Sequence, residues 1–403
     1  MHTIIKNAHI VLRDRCLDHG AIAIHNDIIT EISADADALL PKANTYVVDA
    51  QGAHLLPGFI DTHSDHIERI IQPRPQSMIG FELALREQEK QLVNQGITTM
   101  YHSLSIADVR RKNPLRSAEN MMELARMIHS MHEGEHLIRH RFHCRYDLCN
   151  LHDYDLLLQM LGEGLIHYLS FTDHTPGQGQ YRDVAFFKEQ VLGGGHTDEE
   201  RDRILLERMT REKLTRQQME RVADLAAQKH VPIASHDDDT EEKLDYVTRN
   251  LGAAISEFPV ELEIARQARH RGMQVVVGAT NVLMGRSHSN NLSATTAIQE
   301  GCADILVSDY FPPSILHAVY KLYEQGILPL HEAVRMASHN PAVAMGVADQ
   351  VGSIAPGQQA DLLLVNRRGR IPSVESVFIA GERVSSIRYR NLDKVRMDAG
   401  YAV

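Results

Sequence analysis

The chain has 403 residues, of which 43% are hydrophobic and 24% are charged, a composition typical of a globular protein. Its formal net charge of −11 argues against a nucleic-acid or anionic-membrane partner, although a local cluster of arginines would still attract an anionic small molecule into a cleft. Four scattered cysteines argue against a disulfide framework, and no apolar run approaches the roughly 18 residues of a transmembrane helix. The first residues show no basic segment followed by an apolar run, so we expect no signal peptide and a cytoplasmic location.

The two ends of the sequence are predicted to be rich in β-strands. Residues 1–56 contain short apolar or alternating runs separated by Asn, Asp and Gly, with one short helix near 34–40. Similar runs return after Pro356-Gly357. The economical arrangement is one small β-sandwich domain built from residues 1–56 and 352–403.

Between these ends, short strands alternate with longer helices, which predicts a parallel sheet. We expect helices at 118–133, 214–229, 260–271 and 292–300, and strands at 58–63, 97–103, 141–147, 167–173, 231–236, 253–258, 274–278 and 305–308. Eight strands favour a closed barrel over residues 57–351, and no Gly-x-Gly-x-x-Gly turn follows the first strand, as a dinucleotide-binding sheet would require. The predicted fold class is therefore α/β, a (β/α)8 TIM-like barrel with a small β-sandwich domain formed by both termini.

Ionisable residues lie at the carboxyl ends of five predicted strands, the end at which barrel enzymes carry their active sites. They are His63 and Asp65 after strand one, Arg145 and Asp147 on strand three, His174 after strand four, His236 on strand five and Asp309 after strand eight. A lone histidine at such a position is more often a packed or surface residue, but five strands that end in this way together indicate a metal centre. Residues two apart on an extended chain point to one side, so His63 and Asp65 are expected to aim at the same point.

Histidine and carboxylate ligands together suit Zn²⁺, with Mn²⁺, Fe²⁺ and Mg²⁺ as alternatives. These ligands are more numerous than one tetrahedral ion needs. We therefore expect two divalent ions per chain that share a carboxylate. Such a pair activates water and stabilises both the attacking and the leaving oxygen of a displacement.

The loops that follow the predicted strands contain residues suited to an anion. Arg69 and the Pro73-Arg74-Pro75 segment follow strand one, Gln178 and Gln180 lie in a Gly-containing loop, and Asn281, Arg286 and His288 follow strand seven. Each loop alone is typical of an ordinary turn. Together on one face of a barrel, they predict an anion site.

With these residues, the sequence resembles the amidohydrolase superfamily over nearly its whole length. The resemblance begins at Leu-Pro-Gly-Phe-Ile-Asp-Thr-His (56–63) and ends at Asn-Pro-Ala (340–342) and Gly-Ser-Ile-Ala-Pro-Gly-Gln-Gln-Ala-Asp-Leu (352–362). Most members have His-x-His on strand one, whereas this chain has Asp65 in the third position. Stretches 65–75, 172–180, 234–240, 285–290 and 308–312 resemble one branch, the PhnM-like proteins of the carbon–phosphorus lyase pathway.

This resemblance implies an activity, which is hydrolysis of α-D-ribose 1-methylphosphonate 5-triphosphate to the 5-phosphate and diphosphate. By position, His63 and Asp65 would bind one metal, His174 and His236 would bind the second, and Asp147 would bridge the two. Asp309 would bind a metal and take the proton from the attacking water. We expect substrate contacts from Arg74, Arg145, Gln178, Gln180, Asn281, Arg286 and His288.

Two alternatives remain open. One is an amidase or deaminase that acts on a cyclic amide or nucleobase, and it predicts little loss of activity when Arg74 is replaced by alanine. The other is a metal-free barrel used as a scaffold, against which the intact ligand set argues. The expected partner is a phosphorylated small molecule, and a homo-oligomer is left open because the sequence shows no interface signature.

Overall fold

The computed structural model describes residues 2–107, 114–192, 195–286 and 291–389. Within these ranges, the strands form two eight-stranded sheets, one from both ends of the chain and one from its middle. The predicted fold class, an α/β TIM-like barrel with a small β-sandwich domain from both termini, is confirmed. The helices in the described ranges lack the length and apolarity needed to cross a membrane.

Five strands from the beginning of the chain form much of the terminal sheet. They are β1 (His2–Val11), β2 (Cys16–His25), β3 (Ile28–Ser33), β4 (Thr45–Asp49) and β5 (His54–Pro57). Strand β1 is central, because it pairs antiparallel with β2 and parallel with both β4 and β5. The helix predicted near 34–40 is wrong, since these residues form turns and bends.

The middle of the chain forms a parallel sheet whose strands are paired in chain order. They are β6 (Phe59–Ser64), β7 (Ile97–Ile106), β8 (Arg139–Asp147), β9 (Tyr168–Thr172), β10 (Ile233–His236), β11 (Ile255–Glu257), β12 (Gln274–Gly278) and β13 (Ile305–Val307). Each corresponds to one of the eight strands expected from the sequence. The strand numbering that assigned residues to strand ends is therefore confirmed.

The barrel closes at the carboxyl ends of its first and last strands. A parallel bridge joins Ser64 to Asp309. The Asp309 amide donates to the His63 carbonyl at 2.9 Å, and the Asp65 amide donates to the Asp309 carbonyl at 2.8 Å. Closure itself therefore brings the predicted ligands of strands one and eight side by side.

Helices surround the barrel and cover its outer, apolar face. The α-helices are α1 (His66–Ile71), α2 (Phe81–Asn94), α3 (Ala118–Glu133), α4 (Tyr154–Gly162), α5 (Val184–Phe186), α6 (Asp198–Met209), α7 (Arg216–Gln228), α8 (Glu241–Leu251), α9 (Leu262–His270), α10 (Ala279–Met284), α11 (Ala294–Gln299), α12 (Ser314–Glu324), α13 (Leu330–Arg335) and α14 (His339–Ala344). Short 3₁₀ turns lie at Pro114–Arg116 and Gly179–Tyr181, and a π-helical turn lies at Phe187–Val191. The sequence of helix α7 explains why a helix forms there. A capping box at Thr215 starts it, and the buried Met219, Val222 and Ala226 recur at helical spacing.

Three strands from the end of the chain complete the terminal sheet. They are β14 (Leu362–Arg368), β15 (Ile371–Ile379) and β16 (Glu382–Ser386). Strand β14 pairs antiparallel with β5, so the two chain ends share one sheet. Buried side chains from both ends, including Ile10, Leu55 and Phe378, form its hydrophobic cluster. The domain boundaries proposed at 56/57 and 351/352 stay a prediction.

The interior of the barrel has an apolar layer beneath a polar one. Ile60, Tyr101, Tyr168, Ile255, Val276 and Ile305 belong to one buried hydrophobic cluster inside the barrel. The strands then end in buried polar residues such as His63, His236 and Glu257. Because the apolar layer fills the interior of the barrel, the polar residues are accessible only from the carboxyl ends of the strands.

Candidate active site

A cavity of about 260 Å³ lies at the carboxyl ends of the barrel strands. It is lined by His63, Asp65, Arg69, Arg145, Gln180, His236, Asp237, Phe258, Pro259, Val277, Gly278, Thr280, Asn281, Met284, Arg286, Asn291, Leu292, Ala294, Asp309 and Tyr310. We call His63, Asp65, His236 and Asp309 the inner group, and Arg69, Arg145 and Arg286 the rim arginines. The cavity therefore combines histidine and carboxylate side chains, the types that ligate divalent metals, with cationic ones.

The backbone turns sharply where three barrel strands end. Asp237, Phe258 and Asp309 follow strands β10, β11 and β13, with φ angles of 53°, 54° and 62°. A left-handed conformation costs a non-glycine residue on the order of 1–3 kcal/mol, and such residues cluster at functional sites. All three residues line the cavity, so the strained positions of these strands coincide with the candidate site.

His63 and Asp65 both reach the cavity from the carboxyl end of strand β6. Strand β6 ends at Ser64, and Asp65 adopts φ −91° and ψ 10° at the start of α1. The backbone hydrogen bonds of Asp65 and His63 to Asp309 then join this strand end to the turn after strand β13. Both residues line one cavity, as the alternation along the end of the strand predicts, and their roles as ligands stay a prediction.

Two buried histidines are each paired with a carboxylate through Nδ1. The His63 Nδ1 atom lies 2.8 Å from Glu257 Oε1, and the His236 Nδ1 atom lies 2.7 Å from Asp237 Oδ2. Burial lowers the pKa of His236. Burial opposes ionisation of Asp237 and Glu257, but the facing imidazoles hold the pKa of each carboxyl below its ordinary value. Both pairs therefore favour an ionised carboxylate beside an imidazole.

The donor set fits a divalent metal. Asp65 Oδ1 and His236 Nε2 are buried and have no hydrogen-bond partner among the described residues. Burial of a polar atom without a partner costs desolvation free energy, and coordination of a metal would offset that cost. Across the described part of the chain, His63, His236 and Glu257 form a group whose ligand atoms lie within 4.8 Å of one another.

Glu257 is the functional candidate that sequence reasoning missed. It ends strand β11 and is fully buried, with a relative exposure of 0%. It is the one carboxylate in the otherwise uncharged predicted strand 253–258. A list of the ionisable residues at all eight strand ends would have included it.

Asp147 and His174 lie beside the cavity rather than in its lining. The Asp147 Oδ2 and His174 Nδ1 atoms are 3.9 Å apart, and Asp147 Oδ1 accepts a hydrogen bond from the Cys149 amide at 2.8 Å. The ring centroid of His174 is 6.4 Å from that of His236. The structure therefore brings four predicted ligands to one cavity and places the other two next to it.

The rim arginines come from three separate segments, α1, β8 and the end of α10. The Arg69 guanidinium carbon lies 5.6 Å from the centroid of the Tyr310 ring. The Arg145 Nε atom is buried without a hydrogen-bond partner in the described ranges. Arg74, predicted to contact substrate, is exposed and outside the lining. The arginine that lines the cavity from the region after strand one is therefore Arg69 and not Arg74.

The remaining predicted substrate residues divide into several cases. Gln180 lines the cavity, whereas Gln178 does not. Asn281 lines it too, but its side-chain amide holds the next loop, donating to the Leu292 carbonyl at 3.3 Å and accepting from the Ala294 amide at 3.1 Å. His288 lies outside the described residues.

Comparisons with known proteins agree with this architecture. The sequence model of the Amidohydrolase family matches residues 194–384. The alpha-D-ribose 1-methylphosphonate 5-triphosphate diphosphatase of Escherichia coli (strain K12) is 31% identical over 389 residues, which cover 94% of this chain and 100% of that protein. An adenine deaminase of Moorella thermoacetica is 33% identical over 89 residues, only 20% of this chain and 15% of that protein.

A solved structure also matches the fold along the chain. The putative prolidase from Bifidobacterium longum superposes with a TM-score of 0.65 at 14% identity, covering 100% of this chain and 99% of that one. At this identity, the match shows a shared fold and nothing about substrate.

Proposed function

Since the chain belongs to the amidohydrolase family, in the branch that contains the Escherichia coli diphosphatase, we propose that it is a metal-dependent hydrolase of phosphonate catabolism. Its substrate would be α-D-ribose 1-methylphosphonate 5-triphosphate, which it would convert to the 5-phosphate and diphosphate. The observation that carries this proposal is the presence of the inner group and the rim arginines in one cavity. The inner group would supply the hydrolytic chemistry, and the rim arginines would bind the polyphosphate.

The rim arginines favour a polyphosphate over a neutral ring. A guanidinium presents several N–H donors in a planar fork that matches phosphate oxygens. An uncharged cyclic amide or nucleobase offers these three groups no anionic oxygen to bind. The match to an adenine deaminase is local, and it supports the deaminase alternative only weakly.

The carboxylates of the same cavity support a bound cation. Asp65, Asp237 and Asp309 line it together with the arginines. Without a metal, these carboxylates would repel an anionic substrate, and such repulsion is strong where water is excluded. A cation between the carboxylates and the substrate would turn this repulsion into attraction.

We assign one divalent ion to His63 and Asp65 and a second to His174 and His236, with Asp147 as the carboxylate that they would share and Asp309 as a further ligand of one ion. The metal would act as a Lewis acid that polarises a phosphoryl oxygen and makes water more acidic. Zn²⁺ suits the histidine and carboxylate donors, with Mn²⁺, Fe²⁺ and Mg²⁺ as alternatives.

Two parts of the chain would then act on the substrate. Asp309, fixed by the backbone bonds that close the barrel, would accept the proton of the water that attacks the phosphorus nearest the ribose. The rim arginines would hold the triphosphate and stabilise the charge that develops on the departing diphosphate.

The experiment is a metal analysis of the full chain followed by product analysis with the ribose triphosphate. We expect one diphosphate and no orthophosphate per turnover, loss of activity after chelation, and recovery when the metal is added back. Adenine and a dihydropyrimidine serve as control substrates for the amidase or deaminase alternative.

Two outcomes would contradict the proposal. A chain with its full metal content that releases no diphosphate is not a diphosphatase, and ammonia release from adenine would favour the deaminase. A chain that binds no metal under any condition would favour the scaffold alternative.

A further inference from the structure

Beneath the cavity, a row of buried polar side chains connects strands β6, β7, β8, β9 and β11. We propose that Glu257 is a positioning residue that holds His63 in its Nδ1–H tautomer, with the Nε2 lone pair free for a ligand in the cavity. Ser170, His143 and Ser103 fix Glu257 in turn. This inference rests on the proposed role of His63 as a metal ligand.

The contacts of Glu257 are continuous and short. Its Oε1 atom lies 2.8 Å from His63 Nδ1, and its Oε2 atom accepts from the Ser170 hydroxyl at 2.6 Å. The Ser170 oxygen is 2.5 Å from His143 Nε2, and His143 Nδ1 is 2.9 Å from the Ser103 hydroxyl. All five side chains are buried, with relative exposures of 1% or less. Water therefore has little access to the row.

The direction of each hydrogen bond follows from its fixed ends. At one end the Ser64 amide can only donate, and it donates to the Ser103 oxygen at 2.9 Å. At the other end, an ionised Glu257 can only accept. The hydroxyl of Ser170 must therefore donate to Glu257, which leaves its oxygen to accept from the Nε2–H of His143.

The two histidines are then assigned opposite tautomers. His143, which gives its proton from Nε2, accepts at Nδ1 from the Ser103 hydroxyl. His63 faces Glu257 through Nδ1, so the neutral ring donates there and keeps Nε2 unprotonated. A carboxylate behind a ligating histidine is a recurrent arrangement in metal sites, where it fixes the ring orientation and raises the basicity of the ligand.

The distance between Glu257 and His63 favours this role over a shared metal ion. Two ligands on one tetrahedral zinc, with bonds near 2.1 Å, lie about 3.4 Å apart. The observed 2.8 Å is a hydrogen-bond distance. The pair formed by His236 and Asp237 repeats the arrangement, with Nδ1 on the carboxylate and the partnerless Nε2 available for the metal.

The first test reads the tautomers directly in the metal-free, full-length chain. With ¹⁵N-labelled histidine, two-bond proton–nitrogen correlations report which ring nitrogen carries the proton. Loss of signals in His63→Asn and His143→Asn variants assigns the two rings. We expect Nδ1–H for His63 and Nε2–H for His143; an Nε2–H tautomer at His63 would overturn the proposal.

The second test compares Zn²⁺ affinity, measured by chelator competition, in Glu257→Gln and in a matched control. The control is Glu89→Gln, because Glu89 is also buried and its Oε2 lies 3.1 Å from His140 Nε2, on helix α2 away from the cavity lining. We expect affinity to fall about 10–100-fold in Glu257→Gln, less in Ser170→Ala, and hardly at all in the control. The metal content at saturation and the band positions of the Co²⁺ visible spectrum should stay as in the parent chain.

Two results of the second test would contradict the positioning role. Unchanged Zn²⁺ affinity in Glu257→Gln would show that the carboxylate does not act through His63. A lost metal equivalent with a changed Co²⁺ spectrum would make Glu257 a ligand. Failure of the proposed function is distinguishable, because the tautomers are read without metal and diphosphate release is measured separately on the parent chain.

Discussion

The inner group and the rim arginines line the same cavity but are held in different ways. His63 and His236 are buried on barrel strands, and both are fixed by carboxylates. The positions of Asp65 and Asp309 are set by the backbone bonds that close the barrel. Arg69 on helix α1 and Arg286 after helix α10 are exposed by contrast, whereas Arg145 is half-buried on strand β8.

Under the proposed function, this difference would separate the residues of the chemical step from those that recognise the substrate. Groups held by the barrel keep their geometry without substrate, as catalysis requires. Exposed arginines can adjust to a flexible triphosphate, and water screens their charges until substrate binds. Changes in the inner group should therefore affect kcat and metal binding, whereas changes at the rim should affect KM.

The largest effect is expected for Asp309→Asn. Asparagine keeps the size and one oxygen ligand but cannot accept a proton, so kcat should fall about 10²–10⁴-fold with most of the metal retained. Diphosphate release at saturating substrate and metal analysis of the same sample measure the two quantities. A variant with unchanged kcat would assign the general base elsewhere.

Arg145→Ala should show the next largest effect, since Arg145 is half-buried and lines the cavity from a barrel strand. Loss of a charge-assisted hydrogen bond to phosphate should lower kcat/KM by about 10–100-fold, mainly through KM. Arg145→Lys should recover part of it, because lysine restores the charge without the planar fork. If kcat falls and KM does not, Arg145 belongs with the inner group.

Arg69→Met and Arg286→Ala should each raise KM by a smaller factor, roughly 3–10-fold, because both guanidinium groups are exposed and screened. Arg74→Ala is the matched control, an exposed arginine from the same region that lies outside the lining. Its KM should stay within about twofold of the parent value. A larger loss in Arg74→Ala than in Arg69→Met would restore the original sequence prediction.

The fold could be predicted well from the sequence because its signals are local. Helix α3 was predicted with its observed bounds, since Ser117 caps it and apolar residues recur at helical spacing behind the cap. The short helix predicted near 34–40 failed for an equally local reason. The Asp35 side chain accepts from the Asp37 amide at 3.0 Å, so it takes the donor that would otherwise form the first hydrogen bond of a helix, to the Ser33 carbonyl.

The candidate site was predictable in part, since side-chain direction at a strand end depends on distant residues. Strand ends identified His63, His236 and Asp309 as lining candidates, and the structure places all three in the cavity. Glu257 also ends a predicted strand, but its pairing with His63 joins strands one and six, which the sequence does not show. Arg69 was passed over for Arg74 because its position depends on Tyr310, which follows the last strand. The metal-binding and substrate roles of these residues stay predictions.

The smallest effect expected is the dependence of KM on salt. As ionic strength rises from about 0.05 to 0.5 M, screening of the exposed rim arginines should raise KM roughly threefold. The value of kcat should stay nearly constant, because the inner group is largely buried and screened less. Arg286→Ala should show a shallower rise in KM than the parent chain, since one screened charge is already gone, and Arg74→Ala should not. Equal salt dependence of KM in all three chains would mean that the rim arginines do not bind the triphosphate, and a falling kcat would mean that salt reaches the inner group.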